Sequence, residues 1–438
     1  MTIKTCAFIV SFLLCVILSI NTKAQDSSDH KISMHWQITS VTQYHPRFTS
    51  PYEGINSMVS NEDPKTSVTS TLFFNYSPIK NTYFVFNPEV SGGEGLSKTT
   101  GIAGFPNGEV YRVGSTAPQI FVARLYAEQR IGLSKIKQFV NDDQNQVQER
   151  NNQDYLSFIA GKFSITDFFD NSQISHDART QFLNWSIMGN GGWDYPANTR
   201  GYTMGGVVQL FYKDWEARTA LVGVPMTANG APLQFKYNKA MGFALEIAKN
   251  NIWKKSDKSF GVAHFGIFRN IARMGSYSEA LKNNQPDITA TEIYGRTKDG
   301  YYASMDNHFG VHHWFVKGSY NDGQNETWAF TEIDNSIASG YTYTGFKGKR
   351  KNDVAGIAIV TNGLSDIHKA YLAAGGYGFI IGDGKLNYRR ETILETYYSW
   401  SIKNKFYITP NYQLIINPAY NADRGSINIF TLRLHVEI

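Results

Sequence analysis

The segment from Gly161 to Tyr202 in this 438-residue sequence is dense in side chains that could do chemistry. Its charged, imidazole and indole side chains are Asp167, Asp170, Asp177, Asp194, Arg179, Arg200, His176, Trp185 and Trp193. Glycosidic cleavage needs two carboxylates at a defined separation, which makes Asp167 and Asp170 a candidate pair. Aspartates in Asn-rich loops, however, commonly cap helices and form turns. The pattern favours those structural roles, so we expect no catalytic residue and no enzyme.

The same segment could also bind a sugar. Trp and Tyr rings can stack on the apolar face of a pyranose, while Asp and Arg side chains bond its hydroxyls. Alternatively, the segment braces or plugs the fold and its charges pair with one another; the sequence leaves both interpretations open. His312 and His313 are adjacent on a predicted strand and point to opposite faces, so they cannot bind one metal as a pair. We therefore expect neither a metal nor a cofactor.

The elements that position this segment are predicted to be strands, and the clearest one ends the chain. From Ser426 to Ile438, apolar and polar residues alternate with the period of a strand. One face holds Phe430, Leu432, Leu434, Val436 and Ile438, and the other holds Arg433, His435 and Glu437. Such a strand suits a transmembrane β-barrel, with the first face toward lipid and the second toward water in the lumen. Barrels of this kind usually end on an aromatic residue, so Ile438 predicts a weaker assembly signal.

Other segments alternate in the same way. From Gln119 to Gly132, the lipid face would hold Phe121, Ala123, Leu125, Ala127 and Ile131, and the lumen face Arg124, Tyr126, Glu128 and Arg130. Further strands are predicted over Arg390 to Ile402, with Glu391 and Glu395 facing inward, and over Lys405 to Asn417. A hairpin is predicted from the strands Gly201 to Tyr212 and Trp215 to Val224. Loops are predicted over Gly92 to Val110, Val140 to Asp154, Ser276 to Gly300, and Gly318 to Asn352.

The first 24 residues read as an export signal. Lys4 precedes an apolar stretch from Cys6 to Ile20, and Thr22 to Ala24 offer a cleavage site before Gln25. Both cysteines of the chain lie in this stretch, so no disulfide is expected in the mature protein. We predict a signal peptide over residues 1–24 and a single barrel domain over residues 25–438.

Composition narrows the choice of fold class. Hydrophobic residues make up 42% of the chain, yet its mean hydropathy is −0.33, because apolar residues are interleaved with polar ones. A net charge of only +5 argues against a nucleic-acid partner. Two all-β classes remain, a large secreted β-protein and a membrane barrel. At roughly 25 residues for each strand with its connection, the chain supplies about sixteen antiparallel strands, enough for an aqueous pore.

Seven stretches of the chain form a recognisable set: FNPEVSGGEGLSKTTGIAGFPNGE from Phe86, FVARLY from Phe121, GKFSITDFFDN from Gly161, SHDARTQFLNW from Ser175, WDYPANTRGYTMGG from Trp193, LETYYS from Leu394 and TPNYQLIINPAYNADRGSINIFTLRLHVE from Thr409. These motifs resemble the carbohydrate-selective porin family, the OprB-type porins of Gram-negative outer membranes. They span nearly the whole mature chain. The resemblance implies a sixteen-stranded outer-membrane barrel with short periplasmic turns and long extracellular loops, and a constriction through which small sugars diffuse passively.

The resemblance also indicates where a sugar would bind. The matching motifs contain Arg124, Asp167, Asp170, Asp177, Arg179, Trp193, Asp194 and Arg200, and the inward face adds Glu128 and Arg130. We predict that these residues line the pore and contact the sugar. The expected partners are mono- or small oligosaccharides and outer-membrane lipid, and the protein is a monomer or a homotrimer. The alternatives are a general porin without sugar preference and a secreted polysaccharide-binding or polysaccharide-degrading β-protein.

Overall fold

The computed structural model describes residues 29–110 and 116–438, so the predicted signal peptide lies outside the described residues. Most of the described chain forms β-strands. In chain order these are β1 (Ile32–Tyr44), β2 (Lys65–Tyr76), β3 (Thr82–Gly93), β4 (Gln119–Gly132), β5 (Lys137–Val140), β6 (Glu149–Asn152), β7 (Tyr155–Phe163), β8 (Thr203–Tyr212), β9 (Trp215–Val222), β10 (Met241–Lys249), β11 (Lys254–Ser256), β12 (Ser259–Ala272), β13 (Arg296–Phe309), β14 (His312–Asn321), β15 (Asn335–Tyr343), β16 (Val354–Gly363), β17 (Glu391–Ile402), β18 (Phe406–Ile416) and β19 (Ile427–Glu437).

Sixteen of these strands close into an antiparallel barrel. Each barrel strand pairs with its neighbours in the chain, and β1 pairs with both β2 and β19. The closing register runs from Gln37 opposite Glu437 to Tyr44 opposite Phe430. β11 only extends the turn before β12, while β5 and β6 form a separate two-stranded sheet. Closure leaves no unpaired edge, as a barrel in lipid requires, and the sixteen-stranded prediction is confirmed.

The side chains of β19 point to the predicted faces of the barrel, but those on the inner face do not have the predicted aqueous surroundings. Phe430, Leu432 and Leu434 are 45–51% exposed on the outer face, whereas Arg433 and His435 are each 1% exposed on the inner face. The Arg433 guanidinium does not face water in the lumen, because it donates hydrogen bonds to the carbonyl oxygens of Ala178 and Gln181 at 2.6 and 2.8 Å. The interior at this point is filled by loop rather than by solvent.

β4 departs from strict alternation. Asn87 of β3 pairs with Arg124 and Pro88 pairs with Val122, so Ala123 is an extra residue that forms a bulge. Pro88 has no N–H for the strand ladder, and bulges are where a sheet tolerates proline. The bulge turns Phe121 inward, where its ring lies under the Arg200 guanidinium. The prediction that Phe121 and Ala123 face lipid is therefore wrong, while Leu125, Ala127 and Ile131 do lie on the outer face.

The connections differ in length between the two rims of the barrel. On what we call the short-turn rim, β8 and β9 are joined by residues 213–214, β13 and β14 by 310–311, and β17 and β18 by 403–405. On the opposite, long-loop rim, connections such as 94–118, 164–202, 273–295 and 364–390 are much longer. Exposed aromatic residues border the short-turn rim: Tyr76, Tyr212, Trp215, Phe309 and Phe406. Aromatic belts of this kind mark a membrane interface.

Two of the predicted loops contain a whole strand: Val140 to Asp154 contains β6, and Gly318 to Asn352 contains a strand of the barrel wall. The range from Gly318 to Asn352 contains the end of β14 and all of barrel strand β15. Its sequence NSIASGYTY alternates in burial, with Ile337 56% exposed and Ala338 3% exposed. The small and polar residues that suggested a loop instead form a strand, because the inner face packs against buried aromatic rings and tolerates Gly340 and Ala338 beside Phe315. Only residues 322–334 remain as a connection on the long-loop rim.

The long-loop rim folds into the barrel and fills its interior. The α-helices of the described chain are short: α1 (Trp185–Met188), α2 (Tyr277–Ala280) and α3 (Asp366–Ala373). Single 3₁₀ turns cover Leu96–Thr99, Ile165–Asp167, Thr289–Thr291, Gly348–Arg350 and Pro418–Tyr420. Trp185, Tyr277, Phe330 and Tyr420 from these loops form one buried apolar cluster. Among the described residues, no helix has the length and apolar character needed to span a membrane.

Candidate functional site

The connection between β7 and β8, residues 164–202, folds inward and carries most of the predicted site; we call it the constriction loop. Local capping sets its shape. The Asp167 carboxylate accepts a hydrogen bond from the Ser164 N–H at 3.1 Å, as part of a capping box. The Asn184 side chain accepts the Ser186 N–H at the start of α1. These are the capping roles that the Asp- and Asn-rich sequence predicts.

Carboxylates from the barrel wall hold the constriction loop by its backbone. Glu395 of β17 accepts the N–H groups of Leu183 and Asn184 at 2.7 and 3.0 Å. Glu246 of β10 accepts the Asp170 N–H at 2.8 Å, and Asp306 of β13 accepts that of Gln173 at 2.9 Å. Buried carboxylates need such donors, and loop N–H groups need acceptors. The wall therefore fixes the loop at three points around the barrel.

Arg124 and Asp167 form a bidentate ion pair between wall and loop. The distances are 2.7 Å from Nε to Oδ2 and 2.5 Å from Nη2 to Oδ1. The pair is partly open, since the Arg124 side chain is 14% exposed and that of Asp167 is 21% exposed. The guanidinium lies 5.6 Å from the ring centre of Tyr202. Charged and aromatic surfaces thus meet at one point of the lumen.

A second ion-pair cluster lies around Arg179. Its Nε donates to Glu109 at 2.5 Å and its Nη2 donates to Glu89 at 3.2 Å. Asp177 accepts the Arg179 N–H at 2.9 Å and the Thr180 hydroxyl at 2.6 Å. Burial alone raises the pKa of Asp177, but the Arg179 guanidinium and the Thr180 hydroxyl outweigh burial and bring that pKa below its ordinary value. Asp177 is therefore an anion at neutral pH.

These pairs surround a cavity of about 430 Å³ inside the barrel. Its walls include five of the predicted site residues: Arg124, Asp167, Asp177, Arg179 and Arg200. Arg200 donates to Gln119 at 2.6 Å and lies 4.1 Å from the ring centre of Phe121. Tyr126, Tyr195, Tyr202, Trp185 and Phe168 add aromatic surface to the cavity wall. The volume lies within the range of small-molecule binding sites.

Five other predicted site residues do not line this cavity and instead contact other side chains or backbone groups. Asp170 is 2% exposed and accepts the N–H and side-chain amide of Asn190. Trp193 is 1% exposed and stacks on Tyr302 at 4.8 Å. Asp194 is fully buried and accepts the N–H groups of three consecutive residues, Trp328, Ala329 and Phe330. Glu128 and Arg130 pair with each other at 2.6 Å, nearer the short-turn rim.

Comparison with known proteins identifies the family. The model of the carbohydrate-selective porins, OprB family, matches residues 33–438. The chain belongs to this family of porins. It is therefore a β-barrel channel of the outer membrane that passes sugars, and not an enzyme. The short-turn rim is the periplasmic side and the long-loop rim the extracellular side of this porin.

Solved structures of low sequence identity share the fold. OprB of Pseudomonas putida at high pH matches with a TM-score of 0.69 and 13% identity, over 93% of this chain and 94% of that chain. The outer membrane channel DcaP of Acinetobacter baumannii matches with a TM-score of 0.52 and 10% identity, over 96% and 100%. The Salmonella typhi OmpF complex with daunomycin gives 0.50 and 8%, over 95% and 100%. The search of curated proteins found no match.

Several residues that contact the predicted site residues are missing from the sequence prediction. Glu89 and Glu109 neutralise Arg179, and Tyr202 donates to Glu89 while facing Arg124. Glu89 and Glu109 lie inside the FNPEV and PNGE stretches of the family motif, so the motif itself is a signal for them. Glu246 interrupts the small apolar side chains of Ala244 and Ala248 on the inner face of β10, and that interruption marks it too. Asp306 has no such signal, because its neighbours on the inner face of β13, Ser304 and His308, are also polar.

The extracellular residues 322–334, which bind Asp194, carry a pH-sensitive carboxyl. Burial, with smaller contributions from Glu292 and Glu332, raises the pKa of Glu326 to about 8, although the Gly275 N–H and Lys298 oppose the shift. A raised carboxyl pKa gives stability that is complete below the unfolded value and is lost as pH rises through about 8. In wild type, we expect amide hydrogen exchange in 273–280 and 322–334 to accelerate beyond its intrinsic pH dependence as pH rises from 4.5 to about 8, and to show no further extra acceleration above that pH.

Glu326→Gln is the matched control, because the amide has nearly the shape of the neutral carboxylic acid and does not ionise in this range. The variant should lack the extra acceleration. Equal exchange profiles in the two proteins would show that ionisation of Glu326 does not weaken the loop.

Proposed function

We propose that this porin passes mono- and small oligosaccharides by passive diffusion through the cavity under the constriction loop. Arg124, Asp167, Asp177, Arg179 and Arg200 would exchange hydrogen bonds with the sugar hydroxyls as it passes. Flux would follow the concentration gradient, without a covalent step. Binding has to be weak, because a site that holds its solute too tightly stops conduction.

The observation that supports this proposal is the charge balance of the cavity. Its described lining contains three arginines, Arg124, Arg179 and Arg200, and three acidic residues, Glu109, Asp167 and Asp177. Their formal charges cancel, and each acidic residue is hydrogen-bonded to an arginine or to the adjacent backbone. A lining dense in donors and acceptors but without net charge suits an uncharged polyhydroxylated solute better than an ion.

The aromatic walls are the second part of the argument. Tyr202 and Tyr126 lie beside the Arg124 and Asp167 pair, so that a ring face and a bidentate polar group are available to one solute. A pyranose has both an apolar face and equatorial hydroxyls, which these groups complement. We propose that Asp170, Trp193 and Asp194 support the loop from behind, and that Glu128 and Arg130 line the lumen below it.

Transport of a panel of solutes through purified protein in lipid bilayers tests the proposal. We expect glucose and disaccharides to enter liposomes faster than short polyethylene glycols of matched radius, and to reduce single-channel ion current in a saturable way. Equal rates for sugars and matched glycols, with no saturable block, would favour the general porin without sugar preference. Weak cation and anion discrimination in the same channels would agree with the balanced lining.

Export and assembly complete the proposal. We propose cleavage of the signal peptide after Ala24, so that the mature chain begins at Gln25, and insertion in the Gram-negative outer membrane as a monomer or a homotrimer. Intact-mass measurement of the membrane-extracted protein should give the mass of residues 25–438. Native mass measurement in detergent distinguishes one barrel from three.

A further inference from the structure

One connection on the periplasmic rim is far longer than its neighbours. Residues 133–154 join β4 to β7, where other turns on that rim use as few as two residues, and they form the β5–β6 hairpin. The hairpin pairs only with itself, outside the barrel sheet. We call residues 143–146 the hairpin tip. Short periplasmic turns are the rule in such barrels, so the length of this connection needs a functional explanation.

The tip of the hairpin and β6 lie against the inner face of the barrel wall. The Ser33 hydroxyl donates to the carbonyl oxygen of Asp143 at 3.2 Å, and the Asn75 side chain donates to that of Asn145 at 2.7 Å. Ser33 and Asn75 are 3% and 2% exposed, on the inner faces of β1 and β2. The Tyr83 hydroxyl, on the inner face of β3, donates to Glu149. Three adjacent wall strands therefore hold the hairpin against the interior.

The hairpin tip is a tight and well-defined turn. Asp143 and Gln146 exchange two backbone hydrogen bonds of 3.1 and 3.0 Å, and the Asp143 carboxylate accepts the Gln144 N–H at 2.7 Å. Asn145 has φ of +57°, a left-handed conformation that Asn adopts more readily than most residues. Gln144 and Asn145 are thus presented at the end of a rigid support, and Gln144 reaches Gln37 of β1 at 3.2 Å.

The two tip residues line the same cavity as Arg124 and Arg179. The cavity is therefore bounded by the constriction loop on the extracellular side and by the hairpin tip on the periplasmic side. Four buried polar atoms in its lining have no hydrogen-bond partner among the described residues: Gln37 Nε2, Asn145 Oδ1, Arg124 Nη1 and His176 Nδ1. They come from four separate elements and include both donors and an acceptor. Unpaired buried polar groups are costly, and a polyhydroxylated solute offers partners for both kinds.

We propose that the hairpin tip is the periplasmic wall of the sugar site and that the side chains of Gln144 and Asn145 help to select polyhydroxylated solutes. The inference rests on the proposed sugar transport and adds a second, periplasmic selectivity element to it. A sugar in the cavity contacts the arginine pairs on one side and the carboxamides of the tip on the other.

The test is the double variant Gln144→Ala with Asn145→Gly. Glycine accepts the left-handed backbone at this position, and the Asn145 carbonyl that binds Asn75 is retained. In planar bilayers, we expect the glucose concentration that half-blocks the channel to rise about threefold, as loss of one or two hydrogen bonds predicts. Permeation of a radius-matched short polyethylene glycol should stay equal or become faster. Gln138→Ala, on the exposed stem of the same hairpin, is the matched control.

The outcomes separate the two proposals. Wild-type protein without preference for glucose over the glycol overturns the proposed sugar transport, and this inference with it. A wild-type preference that the double variant keeps unchanged overturns the inference alone. The single variant Asn145→Gly provides the same measurement if the double variant lacks the heat-dependent gel mobility of a folded barrel.

Discussion

Replacing Arg124 with Ala is expected to raise the glucose concentration that half-blocks the channel about tenfold, since a hydrogen bond to a charged group contributes about 1.5–3 kcal/mol. The substitution removes a bidentate partner of Asp167 and the cation that faces Tyr202. It also leaves the Asp167 carboxylate without its counter-charge in the cavity. The channel should therefore become more selective for cations, which reversal potentials in a salt gradient measure directly.

Two further substitutions make the Arg124 result specific. Arg124→Lys keeps the charge but not the two-pronged geometry, so sugar block should be intermediate while ion selectivity stays near wild type. Arg269→Ala removes an arginine that pairs with Asp299 at the barrel exterior, with side chains 57% and 40% exposed, and should change neither property. Wild-type sugar block in folded Arg124→Ala protein would remove this residue from the sugar site.

Replacing Asp194 with Ala is expected to open the constriction without unfolding the barrel. The buried carboxylate accepts three consecutive N–H groups from Trp328 to Phe330, and these become unpaired in the variant. We expect residues 322–334 to lose about 3 kcal/mol or more of local stability. Phe330, which packs against Tyr195 and Trp185 of the constriction loop, would then release that loop. Single-channel conductance should increase severalfold and sugar preference should be lost.

A graded series checks this explanation of Asp194. In Asp194→Asn the amide oxygen can still accept two of the three N–H groups, while the amide nitrogen faces the third, so conductance should lie between wild type and Asp194→Ala. Heat-dependent gel mobility should remain normal throughout, because the sixteen-strand ladder does not involve Asp194. Wild-type conductance in Asp194→Ala would show that residues 322–334 do not depend on this carboxylate.

Arg124 and Arg433 have the same predicted position, on the inner face of a strand, but different surroundings in the structure. Both are placed on the inner face by the two-residue period of their strands, and both do point inward. Arg124 borders the open cavity, whereas Arg433 is 1% exposed beneath the constriction loop. Strand periodicity reports only which face a side chain occupies. It carries no information about which loop covers that face.

Sequence patterns alone predict the barrel, most of its lipid and lumen faces, the hairpin of β8 and β9, and the family. Strand faces and tight turns depend on residues that are close in sequence, so a short stretch of sequence is enough to predict them. The sequence does not predict the bulge at Ala123, the strand at Asn335–Tyr343 or the periplasmic hairpin. The contacts of the buried charges depend on the folded barrel, because Asp194 accepts hydrogen bonds from residues about 135 positions away and Glu395 binds backbone N–H groups more than 200 residues earlier in the chain. Such pairings are set by closure of the barrel around its loops, and no local pattern encodes them.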